Sequence, residues 1–544
     1  MERVWLKSYE AGVPATVSYP PVPVHHFLEE NARRFPRHPA VLLGGPKFSS
    51  IITYRQLDGL ANRFANALIR LGVRRGDRVA IQLPNFPQFV FTFYAVLKAG
   101  AAVVPINPLY KSHDLSLVLK DSGARVILTL PRFMNMLGEV KASTSLESII
   151  VTEPYDYFPF PWKQLAWFRL RGERRPGGGL PLPALVRRAS PHPPGLSIQP
   201  DDLAVLQYTG GTTGVPKGAM LTHQNLVANF TQMRSWLTDL QEGRERFLSV
   251  AATVICVVMG LFDTRLVAEQ IARHRPTVFP GVPAIYAAIN HLKDVQRYDL
   301  KSVRVCVSGS APLPVEVQTK FEQLTGATVV EGYGLSEASP GTHVNPVYGR
   351  RKVGSIGLPL PDTDARIVDL ETGERELPVG ESGELVVRGP QVMRGYWNAP
   401  EETAAAVRDG WLHTGDIARM DEDGYFFIVD RKKDLVIVGG QNVYPREIEE
   451  ILLEHPAVKE AAVTGVTHRV RGELLVAQVV LKDGASADLS QSRRELMAFL
   501  RERLPSYKVP RRLEVVEALP KSAVGKVLRR EIREAVRAQV DDDH

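Results

Sequence analysis

From Val41 to Asn107, short apolar runs ("VAIQLP", "AAVVPIN") alternate with stretches whose apolar residues recur at helical spacing, as in "YRQLDGLANRFANALIRLG". A short continuous apolar run reads as a strand buried on both faces, and the helical period as a helix covering one of them. "ARVILTL" and "SIIVTE" continue the alternation, each closed by turn or polar residues. The first part of the chain is therefore expected to be a layered α/β domain on parallel strands. Strands and glycine loops resume after Asp201. From Gly354 to Asp430, short strands with frequent Gly and Asp turns, such as "VGESGELVVRGPQVMRGYW", predict a small antiparallel barrel. From Lys433 the pattern reads strand, helix ("YPREIEEILLEH"), strand ("VKEAAVTGV"), strand ("LLVAQVVL"), helix ("SRRELMAFLRERL") and a basic end, a compact α+β domain. The expected organisation is an N-terminal domain over 1–432, with its barrel-like part at about 354–430, and a small C-terminal domain over 433–544.

One stretch breaks the pattern. Residues 154–200 are dense in aromatics, Arg, Pro and Gly and read as an insert or linker. Trp162, Trp167 and Phe168 could form an interfacial wedge, with Lys163, Arg169, Arg171, Arg174 and Arg175 meeting anionic head groups. Packing on its own domain or on a partner subunit is the alternative, since short amphipathic stretches commonly cover a core.

Composition narrows the picture. At 544 residues with 44% hydrophobic and 23% charged residues, the chain is too long for one core and is neither disordered nor fibrous in character. Its net charge of +7 is spread over the whole length, so no nucleic-acid partner is expected. The longest apolar run, Val250 to Phe262, falls short of the roughly 20 residues that cross a bilayer and is expected to be buried strand. Cys256 and Cys306 are flanked by apolar residues and read as core thiols of a reducing compartment. The opening "MERVWLKSYE" lacks the apolar core of a secretory signal, so the expected location is cytoplasmic, with peripheral membrane contact allowed.

The segment richest in chemistry is "YTGGTTGVPKG", Tyr208 to Gly218, which follows the strand-like "LAVLQ". Glycines let backbone N–H groups approach phosphate oxygens, threonine hydroxyls add donors, and Lys217 supplies positive charge. A Walker loop does not fit. Pro216 stands where its glycine before the lysine would be, and Gly218 where its Ser or Thr would be.

This loop resembles the phosphate-binding signature of the adenylate-forming superfamily, which includes acyl-CoA synthetases, luciferases and peptide-synthetase adenylation domains. "VSGSAPL" (Val307 to Leu313), "EGYGLSE" (Glu331 to Glu337), "HTGD" (His413 to Asp416), "DRKKD" (Asp430 to Asp434), "GGQNVYPREIE" (Gly439 to Glu449) and "PKSAVGK" (Pro520 to Lys526) resemble its other motifs, in order. The resemblance implies ATP, magnesium and coenzyme A as ligands, and a small C-terminal domain that rotates between two half-reactions. It implies that Thr209, Gly210, Gly211, Thr212, Thr213, Gly214 and Lys217 cradle phosphates. Gly309, Ser310 and Ala311 with Glu331, Gly332 and Tyr333 would surround adenine, Tyr333 stacking on it, and Ser336 would lie near the phosphates. Glu337, assisted by Thr209, would hold magnesium. Asp416 would accept hydrogen bonds from both ribose hydroxyls, and Arg431 would contact ribose and phosphate. Lys433 would be the hinge, Gly439 and Gly440 would face the pantetheine tunnel, and Lys526 would be the mobile catalytic lysine.

"DGWLHTGDIARMDEDGYFFIVDRKK" (Asp409 to Lys433) resembles fatty acyl-CoA synthetases in particular, as do "VWLKSYEAGVPA" and the aromatic, basic insert. A long-chain fatty acid is the implied substrate, with a medium-chain or aromatic acid as the alternative, and a homodimer is allowed. One departure stands out. After "RFLSV" the family continues with a "PLFH"-like motif and a hydrophobic helix, whereas this chain passes directly from Val250 to Ala251. Roughly 15 to 20 residues are expected to be missing, a whole short helix of the acyl site, and a nucleotide-binding but inactive protein is the competing reading.

Overall fold

The computed structural model describes residues 3–541, apart from 45–48, 171–177, 210–215, 250–256, 259–262, 439–440, 469–471, 483–487 and 522–526. Two compact units divide the chain: residues 1–364 with 387–412, and residues 365–386 with 413–544. The boundary expected at 432/433 lies within the second of these.

The first unit carries a seven-stranded sheet. From edge to edge it runs Leu180–Pro181, Ser148–Val151, Val126–Thr129, Arg78–Gln82, Ala102–Pro105, Leu203–Thr209 and Lys217–Thr222. All neighbours are parallel except the last pair, Leu203–Thr209 with Lys217–Thr222, which is an antiparallel hairpin. Val79, Ala80, Ile81, Val103, Val104, Ile127 and Leu128 are buried, as strands covered on both faces require. Helix Tyr54–Arg70 turns Leu57, Ala61, Phe64, Ala65 and Leu68 inward and starts in a capping box, Thr53 accepting from Gln56 N–H while the Gln56 side chain accepts from Thr53 N–H. Lys98, its side chain only 1% exposed, is matched by Glu29 at 2.5 Å and Asp58 at 2.8 Å, which compensate its buried charge.

The aromatic insert contributes to this sheet. Leu180–Pro181 forms its outer strand, and helix Leu182–Arg187 buries Leu182 and Val186. Helix Trp162–Leu170, by contrast, leaves Trp167 and Phe168 exposed, beside exposed Phe160 and Leu165. Lys163 Nζ turns back to donate to Asp156 O, and Arg171, Arg174 and Arg175 lie outside the described residues.

A second core in the same unit gathers Phe279, Tyr286, Phe321 and Val329 around Cys306, which is fully buried as expected of a core thiol. Burial pushes that thiol's pKa well up, and Cys256 lies outside the described residues. Over this core lies a sheet ordered Val305–Ser308, Thr328–Gly334, Gly341–Val344 and Leu358–Pro359. Of the run Val250–Phe262, read as buried strand, only Val257–Val258 is described, as a short strand beside Pro39–Gly44.

In the second unit, Trp411–Met420 and Phe426–Arg431 are antiparallel neighbours in a five-stranded sheet, where the barrel was expected. A further sheet is ordered Gln441–Val443, Val436–Val438, Gly472–Leu481 and Val458–His468, with Arg512–Val515 parallel to Gly472–Leu481. Leu475, Ala477 and Val479 share a core with Ile448, Leu452, Leu496 and Leu500 of helices Pro445–Glu454 and Leu489–Arg503. The alternate residues Val476 and Val480 share another with Ile532 and Val536 of helix Arg529–Asp541. Helices on both faces explain why "LLVAQVVL" is nearly apolar throughout.

Candidate active site

In the first unit, the phosphate loop is closed at its base by the hairpin register, which sets Thr209 opposite Lys217. Thr209 stands at the carboxyl end of a sheet strand, the end at which open α/β sheets bind ligands. Gly210, Gly211, Thr212, Thr213 and Gly214 lie outside the described residues. Beneath the loop, Tyr208 OH donates to Asp121 at 2.5 Å, and Trp397 Nε1 donates to Asp121 O.

Lys217 extends from the hairpin over the ring of Tyr396, 5.7 Å from its centroid, with Glu402 at 3.7 Å. Tyr396 OH in turn donates to Glu337 Oε1 at 2.8 Å. One aromatic ring thus joins the loop lysine to the acidic residue at the end of "EGYGLSE". Burial and the nearby Glu337 charge push the Tyr396 pKa well up, so the phenol keeps its proton and remains a donor. Backbone bonds hold this segment against the hairpin: Met393 N–H donates to Glu337 O, Trp397 N–H to Gly218 O and Met220 N–H to Gly395 O. Tyr396 and Trp397 occur in the sequence as "RGYW" with no local sign of this role. Only the pairing of a distant segment with Lys217–Thr222 reveals it.

The two stretches expected around adenine do come together. Val305–Ser308 and Thr328–Gly334 are parallel with Ser308 opposite Glu331, so Gly309–Ala311 leave the sheet beside Glu331–Tyr333, which run on in the strand paired with Gly341–Val344. A Cβ on Gly309 would stand 3.5 Å from Gly332 O, and Ser310 has a positive φ of 69°. A Cβ on Gly334 would meet Pro340 O at 2.0 Å, so only glycine fits there. Tyr333 is partly buried, edge-on to His343 with centroids 5.9 Å apart. Ser336 and Glu337 follow on a single 3-10 turn, Ser336–Ala338.

In the second unit, the pairing of Trp411–Met420 with Phe426–Arg431 sets Asp416 opposite Arg431, Arg431 Nε being 3.3 Å from Asp416 Oδ1. Lys433 is exposed on the 3-10 turn Lys432–Asp434 that follows. Gly439, Gly440 and Lys526 lie outside the described residues. The short bridge of Lys521 to Val527 closes the base of the segment that carries Lys526.

Residues 28–397 match the family profile described as AMP-binding enzyme, and residues 447–526 that described as AMP-binding enzyme C-terminal domain. The chain belongs to the AMP-binding enzyme family. This AMP-binding enzyme is 44% identical over 558 residues to a protein named long-chain-fatty-acid–CoA ligase in Bacillus subtilis, covering 98% of both chains. It is 38% identical over 572 residues to one of the same name in Salmonella typhimurium, covering 100% of both. Among solved structures, the anthranilate CoA ligase AuaEII in complex with anthranoyl-AMP matches with a TM-score of 0.82 and 28% identity, over 96% of this chain and 98% of that one. Both alignments with the ligases are longer than the 544-residue chain, so this chain carries gaps relative to them. The expected gap after Val250 lies outside the described residues.

Proposed function

We propose that this AMP-binding enzyme is a long-chain fatty acid:CoA ligase. The observation that carries the reading is full-length identity of 44% with the Bacillus subtilis protein of that name, joined to a chain in which Thr209 and Lys217, Glu331–Tyr333 and the Asp416–Arg431 pair stand on described strands. In the first half-reaction a fatty carboxylate oxygen attacks the α-phosphorus of ATP and the bond to pyrophosphate breaks. A carboxylic acid is already ionised at neutral pH, so no general base is needed. The protein's work is to hold two anions in line and offset their charge. Lys217 would meet the polyphosphate, Asp416 the ribose hydroxyls, and Lys526 the charge developing at the α-phosphate. In the second half-reaction the coenzyme A sulfur bonds to the acyl carbon, the bond to AMP breaks, and the thiol proton is lost to solvent.

Magnesium fits the donors available. Glu337 uses one carboxylate oxygen toward Tyr396 and Thr209 has a hydroxyl, hard oxygens of the kind this cation takes along with substrate phosphates. The ion would neutralise polyphosphate charge; Glu337 and Thr209 would hold it.

The test is pyrophosphate release by the purified chain with ATP, magnesium and acids from octanoate to oleate, beside benzoate, with and without coenzyme A. Release that rises with chain length, and thioester formed only with coenzyme A, is expected. Preference for benzoate or octanoate would favour the shorter-acid alternative. ATP binding without acid-dependent release would favour the inactive one.

Exposed Phe160, Leu165, Trp167 and Phe168 support peripheral contact with an anionic membrane surface. No described helix is long and apolar enough to cross a bilayer. Replacing Trp167 and Phe168 by serine is expected to weaken cosedimentation with phosphatidylglycerol vesicles about tenfold or more, with adenylation of soluble octanoate unchanged; unaltered vesicle binding would remove the proposal. A homodimer remains compatible with the reading and is checked by light scattering, a monomeric mass excluding it.

A further inference from the structure

We propose that Glu384 is the positioning residue that aims Asp416 at the nucleotide's ribose, and so sets the preference for ATP over 2′-deoxy-ATP. The proposal rests on the reading of Asp416 as the ribose-binding carboxylate.

Glu384 lies in the strand Gly383–Arg388 with its side chain 5% exposed. Both carboxylate oxygens are engaged. Oε1 accepts from Gly415 N–H at 3.2 Å; Oε2 accepts from Lys432 Nζ at 2.9 Å and stands 3.4 Å from His413 Nδ1. Gly415, with a φ of 71°, is the left-handed residue immediately before Asp416, so its N–H direction determines how the chain enters that residue. The next residue of the same strand holds the other side of the bend. Thr414 Oγ1 donates to Leu385 O at 2.7 Å and accepts from Asp416 N–H at 3.1 Å.

The left-handed bend in the strand Trp411–Met420 that presents Asp416 is thus fixed by Glu384 through Gly415 and by Leu385 through Thr414. Lys432, the residue after Arg431, ties the strand that faces Asp416 to the same carboxylate. Asp416 is therefore aligned from both its neighbours in sequence and its neighbour in the sheet.

A buried ion pair adds little stability over apolar side chains of the same size, because desolvation cancels much of the attraction. Its value lies in fixing geometry. Burial would raise the Glu384 pKa, but the hydrogen bond and charge of Lys432, together with His413 beside it, outweigh it and hold the carboxyl below its usual range. Glu384 therefore stays ionised and retains both acceptor oxygens at neutral pH.

The experiment is calorimetric titration of the full chain with ATP and with 2′-deoxy-ATP, for the wild type, Glu384→Gln, Asp416→Asn and the double variant. Glutamine keeps an acceptor for Gly415 but presents an amide toward Lys432. The ATP preference is expected to fall about five- to twentyfold in Glu384→Gln, and the double variant to be no less selective than Asp416→Asn alone. Equal weakening of both nucleotides by Glu384→Gln would mean a merely structural role and overturn the proposal, as would additive losses in the double variant. An unchanged preference in Asp416→Asn would instead overturn the ribose reading beneath it. Should Glu384→Gln melt too low to titrate, Lys432→Gln, whose side chain is 38% exposed, reads the same ratio; an unchanged ratio there overturns the proposal too.

Discussion

Replacing Lys526 by alanine is expected to slow acid-dependent pyrophosphate release by about a hundred- to a thousandfold, the range found when one donor to a developing charge is removed. Release of AMP by coenzyme A from a preformed acyl-adenylate should fall far less. The asymmetry follows from charge. In the first half-reaction a carboxylate approaches a triphosphate, and each negative group nearby raises the barrier unless a cation is held between them. In the second, a thiol attacks an acyl carbon that already carries a good leaving group, and a lysine at the α-phosphate has little left to offset. Rapid-quench measurement of each half-reaction separately would check this. Equal losses in both would make Lys526 a residue of the fold, and no loss in the first would remove it from the chemistry.

Replacing Arg529 by methionine is expected to destabilise the second unit by about 3–5 kcal/mol, the cost of leaving buried charges without their partner. Arg529 Nη2 meets Glu449 at 2.5 Å, and Nη1 meets Asp434 at 3.1 Å and Asp430 at 3.4 Å. Asp430 and Glu449 are buried enough that desolvation raises both pKa values even with the arginine in place. A carboxyl whose folded pKa lies above its unfolded one binds more protons when folded. Its ionisation therefore costs stability as pH rises from the unfolded pKa through the folded one. Without the guanidinium the two values move further up, so the variant's deficit is expected to be larger at pH 8 than at pH 5. Urea unfolding at the two pH values would show this, and a deficit independent of pH would mean that the lost packing of the arginine stem, not the stranded carboxyls, is responsible.

The histidine motif "HTGD" and the strand segment "GELVVR" show how far local reading goes. Each is legible as a turn and as a strand, and the resemblance singled out Asp416. Nothing in either stretch says that Glu384 accepts from Gly415, because the two are 31 residues apart and meet only through sheet register. The insert is a second case. Its aromatic and basic composition separates it from the α/β pattern, yet Leu180–Pro181 joins the main sheet as its outer strand while Trp167 and Phe168 face outward. Composition marks the segment as different without saying which of its residues are buried.

The sequence by itself determined the alternation of strands and helices, the glycine- and threonine-rich loop after Leu203–Thr209, and the positions at which Glu337, Asp416 and Arg431 occur. Those features are local: period 2 and period 3.6 express which faces are buried, and glycine at a turn expresses a backbone angle. Tertiary structure alone decided that Tyr396 joins Lys217 to Glu337, that Glu384 and Lys432 hold the Asp416 bend, and that Arg529 gathers three carboxylates. Each of these meetings depends on which strand pairs with which and in what register. A one-residue shift in that register would turn every side chain to the opposite face, and no local period records it.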